Sequence, residues 1–325
     1  MCGFLTNVGE MESTDSLFLL TATVMTPLFI YIIMGYVGGK FLKLERETIA
    51  TFLFYLINPL AIFHNLAHTK IEHALFLIPI IFFVLSCLIC IIFYYLGKRI
   101  WNNEIQNIIA YSAGTGNVGY MLFPIIIALF GQEYAAPFFL IVVGISLYEN
   151  SLGFYISAAG KYTARNSLIK LMKLPTLYAF ILGASFSYFD IQVYSVVTTF
   201  TNNVSGLYTV VGMMMIGLSL APIKRLKIDF KFLGVSILAR YIVWPAVMFG
   251  IIIIDRNITH LYSNNLHQLF MISAFIPMAV TSLVLATIFE IHPEKVAMSV
   301  MITTVTAIIY IPLIIKFILT YGIAI

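Results

Sequence analysis

Apolar runs about twenty residues long, separated by short polar connections, recur along this chain from end to end. A helix needs about 17–25 such residues to cross roughly 30 Å of hydrocarbon. Scanning for that length predicts ten spans, at about 17–39, 49–67, 74–96, 105–130, 135–159, 175–189, 196–220, 232–254, 266–289 and 296–321. The sixth is short. The seventh holds "TTFTNNVSGLYT", which is too polar for lipid and has to face protein, water or an interface. Hydropathy alone also admits nine or eleven spans.

Charge decides between these counts, because basic residues in short connections stay on the cytoplasmic side. Fourteen of the 18 Lys and Arg stand in alternate connections: Lys40, Lys43 and Arg46; Lys98 and Arg99; Lys161, Arg165, Lys170 and Lys173; Lys224, Arg225, Lys227 and Lys231; and Lys295. The other connections hold only Lys70 and Arg256, and Arg240 and Lys316 lie within spans. An odd count would scramble this partition. Ten spans, with both termini on the non-cytoplasmic side, preserve it.

Composition agrees: 61% hydrophobic residues against 10% charged, and a mean hydropathy of +0.99, identify a polytopic all-α membrane protein. The expected location is a bacterial inner membrane. Residues 1–16 form an acidic tail without the positive start of a signal peptide. Two five-span halves follow, 17–159 and 175–325, joined by a cytoplasmic linker at 160–174. Halves with an odd number of spans lie in opposite orientations, which is the geometry of an inverted repeat.

Within that repeat the fourth and ninth spans are partners, and both are interrupted near mid-depth. "YSAGTGNVGYMLFPIII" carries Gly114, Gly116, Asn117, Gly119 and Pro124, and "SAFIPMAVTSLVLATIF" carries Pro277. Proline removes a backbone donor, and glycine gives freedom and space. One such break would be a kink more often than a site. Two at matched depth point to a transporter's binding site, because the second half-helices begin there with unpaired N–H groups and positive dipole ends suited to an anion. The residues expected to hold it are Gly116, Asn117, Gly119, Pro277, Met278, Thr281 and Ser282, with Asn117 capping its half-helix and donating its amide to the substrate.

Other polar residues inside spans need a partner or a task. Glu149 and Arg240 lie at similar depth; they either form an ion pair, with Arg240 also able to snorkel, or Glu149 carries a coupling proton. Asn58, Asn202 and Asn203 are candidates for lining a path between the halves. The histidines, His267 among them, read as solvated loop or turn residues apart from His64 near a span end. Cys87 and Cys90 read as packing residues. No metal-ligand pattern, nucleophile with its base, or basic patch for nucleic acid occurs, so neither an enzyme nor a metalloprotein is expected. No cofactor is expected beyond a coupling ion, H+ or Na+.

"GTGNVGYMLFPII" resembles the fourth-span motif of the auxin efflux carrier family of permeases. "FIPMAVTSLVLATIFEIHPEKVAMSVMITTVTAIIYIPL" is similar to that family's ninth and tenth spans, "FLFYLINPLAIFHNLA" to its second and "YTVVGMMMIGLSLAP" to its seventh. The resemblance implies ten helices in two inverted five-helix repeats, with crossed, broken fourth and ninth helices, divided into a scaffold and a mobile transport domain. It places the family's crossover Asn on Asn117 and its ninth-span proline on Pro277. It implies a small organic anion, auxin-like or a dicarboxylate such as malate, moved by alternating access. Gly116 departs from the proline common at that point in plant carriers, which sets auxin itself apart. Partners are then the anion and membrane lipid, with no nucleic acid, and a homodimer is a further expectation. Two alternatives stand beside this reading: a cation-coupled symporter of the bile-acid type, against which neither broken segment holds an acidic residue, and a non-transporting metabolite receptor.

Overall fold

The computed structural model describes residues 14–68, 73–158, 172, 173, 175–223 and 228–321. Lys70, Lys161, Arg165, Lys170, Lys224, Arg225 and Lys227, on which much of the charge partition rests, lie outside the described residues, as does the 1–13 portion of the acidic tail.

Among the described residues the fold is all-helical. The first half runs α1 (Thr14–Phe41), α2 (Arg46–Phe52), α3 (Asn58–Ala67), α4 (Ile78–Ile100), α5 (Ile105–Gly114), α6 (Phe123–Phe130), α7 (Ala135–Asn150) and α8 (Leu152–Ser157). The second runs α9 (Pro175–Tyr188), α10 (Ser195–Leu220), α11 (Phe230–Leu238), α12 (Trp244–Ile254), α13 (Asn264–Ala274), α14 (Val280–Ile288) and α15 (Pro293–Tyr321). Six continuous helical stretches are long and apolar enough to cross a membrane: Leu19–Phe41, Arg46–Ala67, Ala74–Ile100, Gln132–Ser157, Phe230–Thr259 and Pro293–Thr320. Of the other four expected spans, the fourth and ninth are broken in the middle and α9 is only 14 residues long, whereas α10 runs unbroken for 26 residues, with Gly206–Leu220 as an apolar stretch within it.

Proline shapes the long helices without ending them. Leu53–Ile57 widens to a π-helical turn ahead of Asn58-Pro59, Val118–Leu122 ahead of Phe123-Pro124, and Ala239–Val243 ahead of Trp244-Pro245. A proline ring presses on the carbonyl one turn back and offers it no N–H, and the wider turn accommodates both faults. Asn58 therefore sits at a widened turn within a continuous rod.

Two packing groups result. In one, α1 lies against α10, and α3 against α9 and α10; in the other, α4 packs on α5 and α7, and α14 on α15, while α15 also lies along α1 and so joins the two. The α1–α10 contact brings backbones together. A Cβ at Gly35 would overlap the Met214 carbonyl, and one at Gly217 the Ile32 carbonyl. Lipid offers apolar side chains no reason to leave it, so helix pairing in a membrane relies on such close packing of small residues.

Candidate functional site: a crossover of two broken helices

The two interruptions meet. After Gly114 the chain turns extended at Thr115 (φ −132°, ψ 157°), and after Ala274 it stays open until Ala279 (φ −72°, ψ 141°) starts α14. Gly116 and Met278 pair as an antiparallel bridge, and the Asn117 N–H donates to the Pro277 carbonyl at 2.9 Å. Glycine is required on the first segment: a Cβ at Gly116 would occupy the place of the Arg240 guanidinium.

The four helix ends at this crossing are treated unequally. The carbonyls released where α5 and α13 stop are taken up by side chains. Tyr148 Oη donates to the Tyr111 carbonyl (3.0 Å), Trp244 Nε1 to Ala113 (2.7 Å), Tyr310 Oη to Phe275 (3.1 Å) and Arg240 Nε to Ile276 (3.0 Å). Where the second half-helices begin, at Asn117 and Ala279, no side chain caps the N–H groups. Some of these N–H groups are taken by backbone, Asn117 by Pro277, Val118 by Gly116 and Ser282 by Ala279, yet the negative ends are covered by side chains and the positive ends are not, which is the polarity an anion needs.

A cavity of about 50 Å³ adjoins the open ends, lined in part by Asn58, Gly116, Asn117, Gly119, Glu149 and Thr281. The amide nitrogen Nδ2 of Asn117, which is 4% exposed, has no hydrogen-bond partner there. A buried donor left unpaired costs about 1–3 kcal/mol, so a ligand oxygen at this place would relieve a standing penalty. Asn58 Oδ1 and Ser282 Oγ are likewise buried without partners. Tyr120 and Tyr208, with ring centroids 5.1 Å apart, complete the wall on the α10 side.

Glu149 and Arg240 depart from the expected ion pair. Glu149 Oε1 accepts from Thr115 Oγ1 and Thr281 Oγ1, each at 2.7 Å, one hydroxyl from each broken segment. Arg240 is 1% exposed, so it does not snorkel; its guanidinium carbon lies 5.1 Å from the Trp244 ring centroid, and its Nη2 has no partner. The two charged groups address the same crossover through different contacts. The sequence also understated acidity at the crossover, because Glu149 arrives from α7 and not from either broken segment.

The remaining candidates divide. Pro277 and Met278 contribute backbone to the crossing, whereas Ser282 lies one residue beyond the cavity-lining Thr281. Asn117 occupies the N-cap position without making the expected cap bond, which leaves its amide free. Asn203 is exposed on α10 and not among the cavity residues, and the side chain of Asn202 lies outside the described residues. Cys87 and Cys90 are free thiols packed beside Tyr148. His267 is 3% exposed and its Nε2 lies 2.8 Å from Asp255 Oδ2, so it is a structural residue of the α12–α13 connection and not a solvated one. Thr115, Tyr120, Tyr208 and Trp244 were not singled out in the sequence. Thr115 stood inside the glycine-rich break, where its hydroxyl was a visible signal; the aromatics had none, since such residues fill every span.

Residues 20–315 match the model of a family described as membrane transport proteins. The chain is 28% identical over 304 residues to the uncharacterized transporter MJ1031 of Methanocaldococcus jannaschii, an alignment covering 89% of this chain and 96% of that protein.

Proposed function

The chain belongs to the membrane transport protein family of the auxin efflux carrier type, and from that premise we propose that it is a permease for a small organic anion, most simply a carboxylate. The observation that carries this reading is the polarity of the crossover: carbonyl ends capped by side chains, half-helix starts without a side-chain cap, and the unpaired Asn117 amide beside a cavity. The ten-span, inverted-repeat architecture is part of the same proposal. It is supported by two interrupted helices that meet antiparallel at equivalent places in the two halves.

The place of the cavity supports alternating access. Asn58 and Tyr208 come from the α1–α3–α9–α10 group, whereas Asn117, Glu149 and Thr281 come from the other. About 50 Å³ has room for a few waters but not for a carboxylate of several heavy atoms. Binding therefore requires the two groups to separate, and relative movement of packed helix groups would expose the site to each side in turn.

The test is uptake of radiolabelled mono- and dicarboxylates into proteoliposomes. Asn117→Ala removes a hydrogen bond to a charged group worth about 1.5–3 kcal/mol, so transport at limiting substrate should fall about tenfold or more. Normal transport by this variant would remove Asn117 from the site. Carboxylate binding with no flux would identify a receptor instead.

A further inference from the structure

Arg240 and Glu149 set a charge balance around the crossover, and from it we infer that the permease binds its carboxylate together with one proton, carried on Glu149, as a 1:1 symporter. This rests on the anion-permease reading above. Arg240 is buried against Gly116, bonded to the Ile276 carbonyl, and forms no ion pair with a carboxylate among the described residues. Glu149 is held by Thr115 and Thr281. The titratable side chains that face Glu149 are Tyr111 from α5, Tyr120 from the π turn after Asn117, and Tyr208 from α10, all neutral phenols; Arg240 is the charge on the far side of the crossover segment. With Glu149 ionised, the empty site is neutral overall. An entering carboxylate would then leave one negative charge uncompensated in a low-dielectric interior, a cost of several kcal/mol. A proton on Glu149 Oε2 restores neutrality.

The partners of Glu149 permit this change. Thr115 and Thr281 both donate to Oε1, which accepts from them as a carboxylate oxygen and equally as the carbonyl oxygen of the acid, so a proton on Oε2 leaves both bonds intact. Each threonine belongs to a different broken segment, so the protonation state of Glu149 is registered by both halves of the crossover. Arg240 acts as a fixed positive charge behind the site and need not touch the substrate.

The experiment applies a pH gradient and a membrane potential separately to proteoliposomes, with indole acetate as monocarboxylate probe and malate as dicarboxylate probe, each read as the flux in excess of protein-free liposomes, which the neutral acid crosses unaided. Indole acetate should accumulate about tenfold per pH unit across the membrane and respond little to potential, because one anion and one proton move together. Malate, which retains a negative charge after pairing with the proton, should respond to both. Glu149→Gln should convert indole acetate transport into a voltage-driven, pH-gradient-insensitive flux. Proton uptake on adding indole acetate to the wild-type protein in weakly buffered detergent solution, expected at one proton per bound anion, reads the same coupling without a variant. Wild-type flux driven by potential but not by the pH gradient, dependence on sodium, or a pH-gradient response retained in Glu149→Gln would each overturn the inference while leaving the permease reading intact. Absence of carboxylate binding and flux would overturn both.

Discussion

Two carboxylates, Asp255 and Glu149, lie inside the helical body and are held in opposite ways. Asp255, 4% exposed, is saturated by Thr259 Oγ1, the N–H groups of Leu261 and Tyr262, and His267 Nε2. Arg256 Nε faces His267 Nδ1 at 3.4 Å, an arrangement that leaves the imidazole proton on Nε2, directed at the carboxylate. Two of these four donors are backbone N–H groups, which cannot accept a proton. A carboxylic acid at Asp255 would confront donors with a donor. At Glu149 both resolved bonds fall on Oε1, so a proton on Oε2 displaces neither of them. One carboxylate is built to keep its charge and fasten a loop, the other to exchange it.

The largest test of this contrast is Asp255→Ala. It strands two backbone donors and a buried histidine, and breaking a buried charged network of this kind costs about 3–5 kcal/mol. A large fall in the thermal unfolding midpoint of the detergent-solubilised protein is therefore expected, with the crossover chemistry itself untouched. A midpoint within a degree or two of wild type would show that Asp255 is not the fastening the geometry describes.

That Glu149 was half legible in the sequence and Asp255 not singled out at all is a matter of what spacing can encode. The break in the fourth helix and its partner around Pro277 were readable because glycine and proline act locally on the backbone. That the breaks touch, through Gly116, Met278, Asn117 and Pro277, is a long-range fact that inverted topology hinted at and the family resemblance implied. Glu149 stood out as a charge in an apolar run, yet depth along a helix does not tell azimuth. Similar depth suggested pairing with Arg240, while the rotation of α7 directs Glu149 to Thr115 and Thr281 instead. His267 looked like a loop residue because its partner Asp255 is 12 positions away and belongs to the end of another helix. Among the described residues six of the ten expected spans are continuous helices of crossing length, and the fourth and ninth are not because hydropathy counts apolar residues across a break that a helix does not cross.

A third carboxylate sharpens the comparison with a smaller effect. Asp229 caps α11, accepting from the N–H groups of Lys231 and Phe232 at 3.0 Å each, and pairs with Lys295 at 2.8 Å, but it stands outside the helix and 20% exposed. Partial burial pushes its carboxyl up. The bonds from Lys295, Phe232 and Lys231 outweigh that and hold it below the usual 3.8. A carboxylate depressed in the folded state stabilises at pH values above its unfolded value, and that stabilisation disappears as pH falls through the folded one. Asp229→Ala should cost about 1 kcal/mol at neutral pH, chiefly through the lost cap. The difference from wild type should shrink below pH 3.8. A cost that stayed constant well below that pH would show that packing, and not the charge, holds this helix start.

The smallest stability effect is expected at Glu149. Glutamine retains an oxygen able to accept from both Thr115 and Thr281, occupies the same volume, and removes the expense of an ionised group near mid-membrane. Glu149→Gln should therefore unfold within about 1 kcal/mol of wild type, or later than it. The same isosteric exchange at Asp255 would replace an oxygen that accepts from two donors with an amide nitrogen that itself donates, so the two variants should separate clearly in one melting experiment. Equal losses from both would mean that Glu149 is also a fastening, and that its two hydroxyl partners serve rigidity and not proton exchange.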